Sequence, residues 1–248
     1  MIFLKTAQEI EQLKICNRIV TRVLKELKSA IQPGITTREL DEIAERSLKD
    51  QGAVSAFKGY RGFPASLCAS INEQIVHGIP NERRLKDGDI ISLDFGVSLN
   101  GFYGDAAITL PVGEIGNRAK ELLKVAEESL YKGIEQARVG KRLSDISQSI
   151  QGWVEQHGFS VVRDFVGHGI GRSLHEDPQI PNFGIPLPNP VLQEGMVLAL
   201  EPMVNEGGYE VRILPDGWTA VTADGKLSAH FEHSIAINGT GPVILSEW

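Results

Sequence analysis

The sequence predicts an α+β fold built from two similar halves, each with two helices and several strands. Three observations support this prediction: an amphipathic pattern near the N-terminus, the recurrence of the same order of elements later in the chain, and an Asn-Gly turn between two strand-like runs. The 248 residues, 42% of them hydrophobic, provide enough apolar material for a large core. We therefore predict a single domain, residues 1–248, with pseudo-symmetric halves at about 1–112 and 113–248.

The first half opens with two predicted helices. Apolar side chains between residues 10 and 27 recur at spacings of three and four, which places them on one face of a helix. The Pro33-Gly34 pair ends this helix. Thr36 followed three residues later by Glu39 is typical of a capping box, so a second helix begins there and ends near residue 52.

The second half repeats this order. A helical segment over 118–137 and another over 146–154 correspond to the first pair, and Gly34 and Gly52 are 18 positions apart, as are Gly140 and Gly158. Chance similarity is the alternative explanation, because helix ends commonly recruit glycine. A true duplication favours a ligand cleft between matching halves.

A predicted hairpin brings two aspartates together. Asn100-Gly101 is typical of a two-residue type I′ turn, and in that register Asp94 faces Ala107 while Asp105 lies two residues away on the same face. Their Cα atoms are then roughly 7–8 Å apart, close enough for the carboxylates to share a cation. A solvent-exposed face and a shared proton are the alternatives.

Three further residues have metal-ligating side chains. His168 lies between two glycines, where the backbone can approach a ligand closely. Glu201 ends an apolar strand, and Glu232 lies within the strand-like run 228–236, where an outward position on an edge strand is the alternative. Four carboxylates and one imidazole favour a pair of divalent ions such as Mn, Fe, Co or Zn over a thiolate-bound zinc ion.

Composition argues against several classes of partner. A formal charge of -7 without a basic run disfavours nucleic acid and anionic membranes. The N-terminal segment differs from a secretory signal, and no apolar run reaches the roughly 18–20 residues of a membrane span. We therefore expect a cytoplasmic monomer in which Cys16 and Cys68 remain reduced.

Five motifs in order resemble those of the type I methionine aminopeptidases, whose fold is called pita-bread and has a curved antiparallel sheet. The resemblance runs from about residue 6 to the C-terminus. Its motifs are NEQIVHGIP at 72–80, the aspartate pair 11 positions apart, GHGIG at 167–171 followed by His175, EPM at 201–203, and the Glu232-His233 pair. The family resemblance implies a hydrolase that removes the initiator methionine from nascent polypeptides, preferring a small second residue, through a hydroxide activated by two metal ions. The ribosome is one place where such an enzyme would meet its substrates.

The resemblance also implies individual roles. The implied metal ligands are Asp94, Asp105, His168, Glu201 and Glu232. The implied catalytic residues are His77, His175 and Glu201, with His77 touching the substrate, His175 bonding the scissile amide and Glu201 carrying a proton. The implied substrate-binding residues are Phe57, Tyr60, Phe63, Cys68, His77, Leu174, His175 and Trp218. A purely structural role is the alternative for the two histidines other than His168.

Four positions depart from the family pattern. Phe57 replaces a smaller residue, and Leu174 replaces a phenylalanine, so bulk is exchanged across the pocket. Gly96 and His230 replace a threonine and a glutamine, and His230 is expected to hydrogen-bond a ligand carboxylate. These changes leave the tolerance for the residue after methionine open.

Two other functions stay open. An X-Pro aminopeptidase or prolidase shares the catalytic scaffold but usually carries an additional N-terminal domain, for which 248 residues leave no room. A non-catalytic pita-bread protein that binds partners or RNA would tend to lose ligands and gain basic segments, whereas this chain keeps all five ligand candidates and a negative charge.

Overall fold

The described chain, residues 1–184 and 189–247 of a computed structural model, contains four α-helices and fifteen strands. The helices are α1 (Ala7–Ala30), α2 (Thr37–Leu48), α3 (Asn117–Gln136) and α4 (Leu143–Gln156). The strands of the first half are β1 (Val54–Ser55), β2 (Cys68–Ile71), β3 (Gln74–Val76), β4 (Ile90–Leu99) and β5 (Phe102–Pro111). Those of the second half are β6 (Ser160–Val161), β7 (Gly167–Gly169), β8 (Glu176–Ile180), β9 (Val197–Leu200), β10 (Met203–Asn205), β11 (Val211–Ile213), β12 (Ala220–Thr222), β13 (Ser228–His230), β14 (Glu232–Asn238) and β15 (Gly241–Ile244).

Helices α1 and α2 begin at side-chain caps. The predicted capping box of α2 is confirmed, because Thr36 N–H donates to Glu39 Oε2 at 2.7 Å and Glu39 N–H donates to Thr36 Oγ1 at 3.1 Å. Helix α1 has a second capping box formed by Thr6 and Glu9. These caps satisfy amide groups that a helix start would otherwise leave without partners.

The helices pack in pairs beside the sheet. Helix α1 contacts α2, and α3 contacts α4, which is the repeated helix pair that the sequence predicts. Helix α1 also packs on β4 and β5, where Leu13, Val20 and Leu27 are fully buried. On the strand side, Phe95 of β4 is among the largest fully buried side chains. This apolar layer holds the β4–β5 hairpin rigidly from one side.

The largest sheet is antiparallel throughout and has nine strands among the described residues. Its strands follow the order β1-β4-β5-β14-β9-β7-β8, with β2 on β4 and β15 on β14. The β4–β5 hairpin has the predicted register, with Asp94 opposite Ala107. Asn100 and Gly101 have φ values of 52° and 76°, the two positive values that a type I′ turn requires. The proposed halves meet in this sheet where β5 pairs with β14.

The run 228–236 is two strands, so the prediction of one continuous strand is wrong. Strand β13 pairs with β10 in a separate three-stranded sheet, whereas β14 pairs with β9 in the large sheet. Phe231 lies between them and its N–H bonds the carbonyl of Pro202 at 3.3 Å. The partner strands β9 and β10 are likewise interrupted at Glu201-Pro202. Proline has no N–H to donate to a neighbouring strand, so backbone pairing stops there. The segment β9–β10 and its partner segment β13–β14 therefore both pass between the large sheet and the small one at this position.

Two observations bear on the environment of the chain. Cys16 and Cys68 are both buried and free. Among residues 1–184 and 189–247, none of the helices combines the length and the apolar composition required to cross a bilayer.

The N-terminal segment is anchored by a buried ion pair. Lys5 Nζ lies 2.5 Å from Glu176 Oε2, and the two side chains are only 6% and 10% exposed. The Lys5 N–H donates to the carbonyl of Gly195 at 2.7 Å, and Glu176 also accepts from the N–H groups of Arg172 and Ser173. The histidine that precedes Glu176 is one of the predicted catalytic residues, so the anchor fixes its backbone.

We expect the Lys5→Met substitution to lower the free energy of unfolding by about 3 kcal/mol, because it leaves the buried carboxylate of Glu176 without its cation. Urea denaturation measures this change. The matched control is Lys14→Met, which removes an exposed pair with Glu11 at 3.7 Å and is expected to cost less than about 1 kcal/mol. Equal effects of the two substitutions would contradict the anchoring role of Lys5.

Candidate metal site and adjoining cavity

One cavity of about 180 Å³ collects the residues that the sequence analysis selected. This volume is below the roughly 300–1,000 Å³ of pockets for drug-sized ligands, so the cavity suits a single side chain. Its lining residues are Phe57, Tyr60, Arg61, Phe63, Cys68, His77, Asp94, Asp105, His168, Leu174, His175, Glu201, Trp218 and Glu232. Apart from Arg61, each of them was selected from the sequence.

Five consecutive strands of the large sheet bring the ligand candidates together. Along the order β4-β5-β14-β9-β7, each strand or its end contributes one residue. These are Asp94 on β4, Asp105 on β5, Glu232 at the start of β14, Glu201 immediately after β9, and His168 on β7. Residues distant in sequence therefore meet because antiparallel strands lie side by side.

Distances confirm that these groups converge. One ligating atom from each of Asp105, His168 and Glu232 lies within 4.8 Å of the others. Glu201 Oε1 lies 3.4 Å from His168 Nε2, and Asp94 lines the same cavity. The alternative of an outward Glu232 on an edge strand is wrong, because β14 lies between β5 and β9 and Glu232 is 2% exposed.

The electrostatics of the cluster fit a divalent cation. No described residue hydrogen-bonds the buried oxygens Asp94 Oδ1, Asp105 Oδ1 and Glu232 Oε1. Burial raises the pKa of Asp94 to about 7, and burial together with neighbouring carboxylates raises the pKa values of Asp105, Glu201 and Glu232 well above their usual range. Buried carboxylates without partners cost several kcal/mol each, and a cation among them removes that cost.

The orientation of His168 leaves one ring nitrogen available as a ligand. His168 Nδ1 lies 2.9 Å from the carbonyl oxygen of Gly169, so the ring hydrogen is on Nδ1. Nε2 then presents its lone pair toward Glu201. Burial, followed by the nearby His175, lowers the pKa of His168 to about 3, so the contact with Glu201 is not an ion pair at neutral pH. A neutral imidazole held by a backbone carbonyl is the usual state of a metal-binding histidine.

The two other selected histidines flank this cluster. His175 Nδ1 lies 2.8 Å from the Tyr60 hydroxyl, and the His175 ring centroid lies 4.3 Å from that of His168. His77 has a positive φ of 60°, and its ring contacts Trp218 edge-on at 6.3 Å. Burial lowers the pKa of both, to about 4 for His77. Both rings are therefore neutral at physiological pH.

The remaining wall of the cavity is apolar and aromatic. Phe63 and Trp218 pack edge to face with centroids 5.2 Å apart. Cys68 on β2 lies directly opposite Asp94, and its burial raises the pKa of the thiol well above the ordinary value. The thiol stays protonated, so it contributes an apolar contact and not a thiolate ligand.

Two residues of the site differ from the sequence-based expectations. Arg61 was not selected, although it lines the cavity, has a φ of 48° and lies with its guanidinium 5.4 Å from the centre of the Tyr60 ring. Its position next to Tyr60 within the aromatic segment 57–63 is the signal that could have identified it. His230 Nε2 lies 3.8 Å from Glu201 Oε2, too far for the expected hydrogen bond.

Comparison with known proteins agrees with this metal-binding architecture. The model of metallopeptidase family M24 matches residues 11–239. The chain belongs to metallopeptidase family M24. Within that family it is similar to proteins named methionine aminopeptidase. It is 58% identical to methionine aminopeptidase 1 of Bacillus subtilis (strain 168) over 99% of both chains. The resemblance indicated by the sequence motifs is thereby confirmed.

Solved structures show the same fold. Methionine aminopeptidase of Thermotoga maritima matches with a TM-score of 0.98 and 48% identity, covering 100% of both chains. Xaa-Pro dipeptidase of Bacillus anthracis matches with a TM-score of 0.80 and 23% identity, covering 99% of this chain and 62% of that one. At this identity the second match bears on the fold alone. The chain thus has the pita-bread fold, with its curled antiparallel sheet.

We expect divalent metal binding to release protons near pH 7. In the metal-free protein the raised pKa values, about 7 for Asp94, keep protons on the carboxyls of the cluster near neutral pH, and a cation binds only the ionised form. Calorimetric titration with Mn²⁺ in buffers of different ionisation enthalpy measures the released protons. Affinity should fall by about tenfold per released proton for each pH unit below the pKa. Heats that do not depend on the buffer would contradict this expectation.

Proposed function

We propose that the chain is a methionyl aminopeptidase that removes the initiator methionine from nascent proteins and peptides, preferring a small second residue. The observation that carries this proposal is the direct contact, within one small cavity, between an apolar aromatic wall and a cluster of carboxylates and an imidazole. An unbranched thioether suits such a wall because sulfur interacts favourably with ring edges. The high identity to proteins named methionine aminopeptidase supports the same conclusion.

Two divalent ions would be held by Asp94, Asp105, His168, Glu201 and Glu232. The four carboxylates carry four negative charges, which balance the charge of two divalent cations, and their oxygens with one nitrogen suit Mn, Fe, Co or Zn. When bound, such ions polarise a water molecule and the scissile carbonyl together.

His175 is proposed to stabilise the charge that develops on the oxygen of the scissile bond. A Tyr60 hydroxyl that donates to Nδ1 leaves the ring hydrogen of His175 on Nε2. This neutral donor is already oriented before the substrate arrives, so little reorganisation accompanies the reaction. His77 contacts the substrate as a second neutral ring beside Trp218.

Glu201 is proposed to carry the proton from the attacking water to the leaving amine. Burial and two neighbouring carboxylates raise its pKa well above the usual range. This raised pKa belongs to the metal-free cluster; with cations bound the carboxylate would be ionised, which is the form that accepts a proton from water. The substrate must have a free amine, because an acyl group would add bulk where the carboxylates converge.

The cellular location that we expect follows from the net charge of the chain and from its proposed substrate. We propose a cytoplasmic monomer that acts on the N-termini of nascent polypeptides, with the ribosome as a place of encounter. The formal charge of -7 supports an enzyme that does not bind nucleic acid directly. A prolidase or X-Pro aminopeptidase is the enzymatic alternative, and a non-catalytic binding protein is the other.

The protein loaded with Mn²⁺ or Co²⁺ is expected to cleave a Met-Gly-Met-Met peptide and to leave N-terminal leucyl and N-acetylmethionyl peptides intact. We expect this selectivity because the small cavity suits an unbranched side chain and because the N-terminal amine of the substrate must be free. Chromatographic separation of released methionine measures the reaction. An X-Pro peptide serves as the comparison substrate, and faster cleavage of that peptide would favour the prolidase alternative. A bound-metal content near zero would favour the binding protein.

The His175→Ala substitution is expected to lower kcat by about 10²–10³ through loss of a preorganised donor. Steady-state kinetics on the methionyl peptide measure this, together with the bound metal per chain, which should not change. His157→Ala is the matched control, since His157 lies at the end of α4 and bonds the carbonyl of Trp153. Similar kcat values for the two variants would exclude the proposed role of His175.

A further inference from the structure

Position 96 faces the cavity but carries no side chain. Gly96 follows Asp94 by two residues on β4, so both positions point to the same face of the sheet. In the hairpin register Gly96 lies directly opposite Asp105. Any side chain at position 96 would therefore project between the apolar wall and the candidate metal ligands.

The ring of Phe57 occupies the space that such a side chain would need. A Cβ atom built on Gly96 would lie 2.7 Å from Phe57 Cε1, closer than real Cβ contacts. The same atom would lie 3.2 Å from Ala56 Cβ and 3.2 Å from Asp105 Oδ1. The edge of the Phe57 ring thus reaches the side of the carboxylate cluster only because position 96 is glycine.

The backbone around Phe57 is fixed to the same strand. Ser55 on β1 pairs with Val97 on β4, and Ala56 N–H donates to the Gly96 carbonyl at 2.9 Å. The Phe57 N–H bonds Ser55 Oγ at 3.1 Å. Since the backbone is held at these points, a side chain added at position 96 must displace the ring of Phe57 and not its main chain.

We propose that Gly96 is a specificity-determining residue of the pocket, because its missing side chain admits the Phe57 ring, which in turn sets the depth available to the first side chain of the substrate. This proposal rests on the proposed function and identifies Gly96 and Phe57 as the pair of residues that sets specificity for the first side chain of the substrate. Phe57 is only 9% exposed and lines the cavity with Leu174 and Trp218, so a shift of its ring changes the volume of the pocket directly.

The two positions should act as a coupled pair. Gly96→Ala pushes the Phe57 ring into the pocket. We expect it to raise KM for the methionyl peptide about tenfold with little change in kcat, because the ground state and the transition state lose the same binding energy. Phe57→Leu removes the Cε1 atom that clashes and deepens the pocket. In the Phe57→Leu background, Gly96→Ala should therefore raise KM by about twofold or less. Phe57→Leu alone should improve kcat/KM for an ethionyl peptide relative to the methionyl peptide about tenfold.

The experiment is a double-mutant cycle on the Mn²⁺-loaded enzyme with methionyl and ethionyl peptides. Binding of L-methionine by calorimetry gives a second readout that does not depend on turnover, and bound Mn²⁺ per chain is measured for every variant. Gly152→Ala is the matched control, since a Cβ at Gly152 meets nothing within 4 Å and should leave KM unchanged. A smaller effect of Gly96→Ala on KM and on methionine affinity in the Phe57→Leu background supports the proposal.

Results that contradict the Gly96 proposal can be distinguished from results that contradict the proposed function. If Gly96→Ala raises KM equally in both backgrounds, or if its effect follows loss of bound Mn²⁺ through contact with Asp105, the proposal is overturned while the proposed function stands. If the metal-loaded unsubstituted enzyme does not cleave the methionyl peptide, both are overturned.

Discussion

The repulsion among four carboxylates, two of them buried and two half-buried, is the constraint on which the rest of the structure depends. Each comes from a different strand or from its end, so the sheet cannot form without bringing their charges into a region of low dielectric. Several kcal/mol per unpaired carboxylate is comparable to the roughly 5–15 kcal/mol that stabilises a whole domain. The fold tolerates the cluster by protonating it or by binding cations, which couples metal binding to folding.

The irregular backbone of the site has a structural cause. Glu201 and Glu232 stand where two paired chains leave one sheet and enter another, and Pro202 and Phe231 mark that point. Strand alternation still applies here, because Glu232 lies opposite Ala107, which is also the partner of Asp94, so both carboxylates share one face of the sheet. Glu201 lies two residues beyond Ala199, the partner of His168, and continues the same face. The break therefore ends the backbone pairing beside the site and leaves these two carboxylates at the border between two sheets.

Local rules predicted part of this structure, and long-range packing decided the rest. The Asn100-Gly101 turn fixed the register of the hairpin, because turn type and register are set by neighbouring residues. The capping box at Thr36 is equally local. The division at Phe231 depends on which strands lie alongside, and the 3.8 Å gap between His230 and Glu201 depends on the positions of two sheets. The family resemblance supplied most site residues, yet Arg61 lay outside its motifs.

The apolar wall and the metal-binding cluster are not independent parts. The Phe57 ring and Asp105 both border the space beside Gly96, since a Cβ atom there would lie 2.7 Å from Phe57 Cε1 and 3.2 Å from Asp105 Oδ1. Exclusion of water is the main cause of the raised pKa values in the cluster. A wall that admitted water would lower those pKa values, so the carboxyl groups would be more fully ionised, but water would also screen their field and widen the pocket. Under the proposed function, substrate specificity and cation affinity would therefore both depend on how far water is excluded from one small cavity.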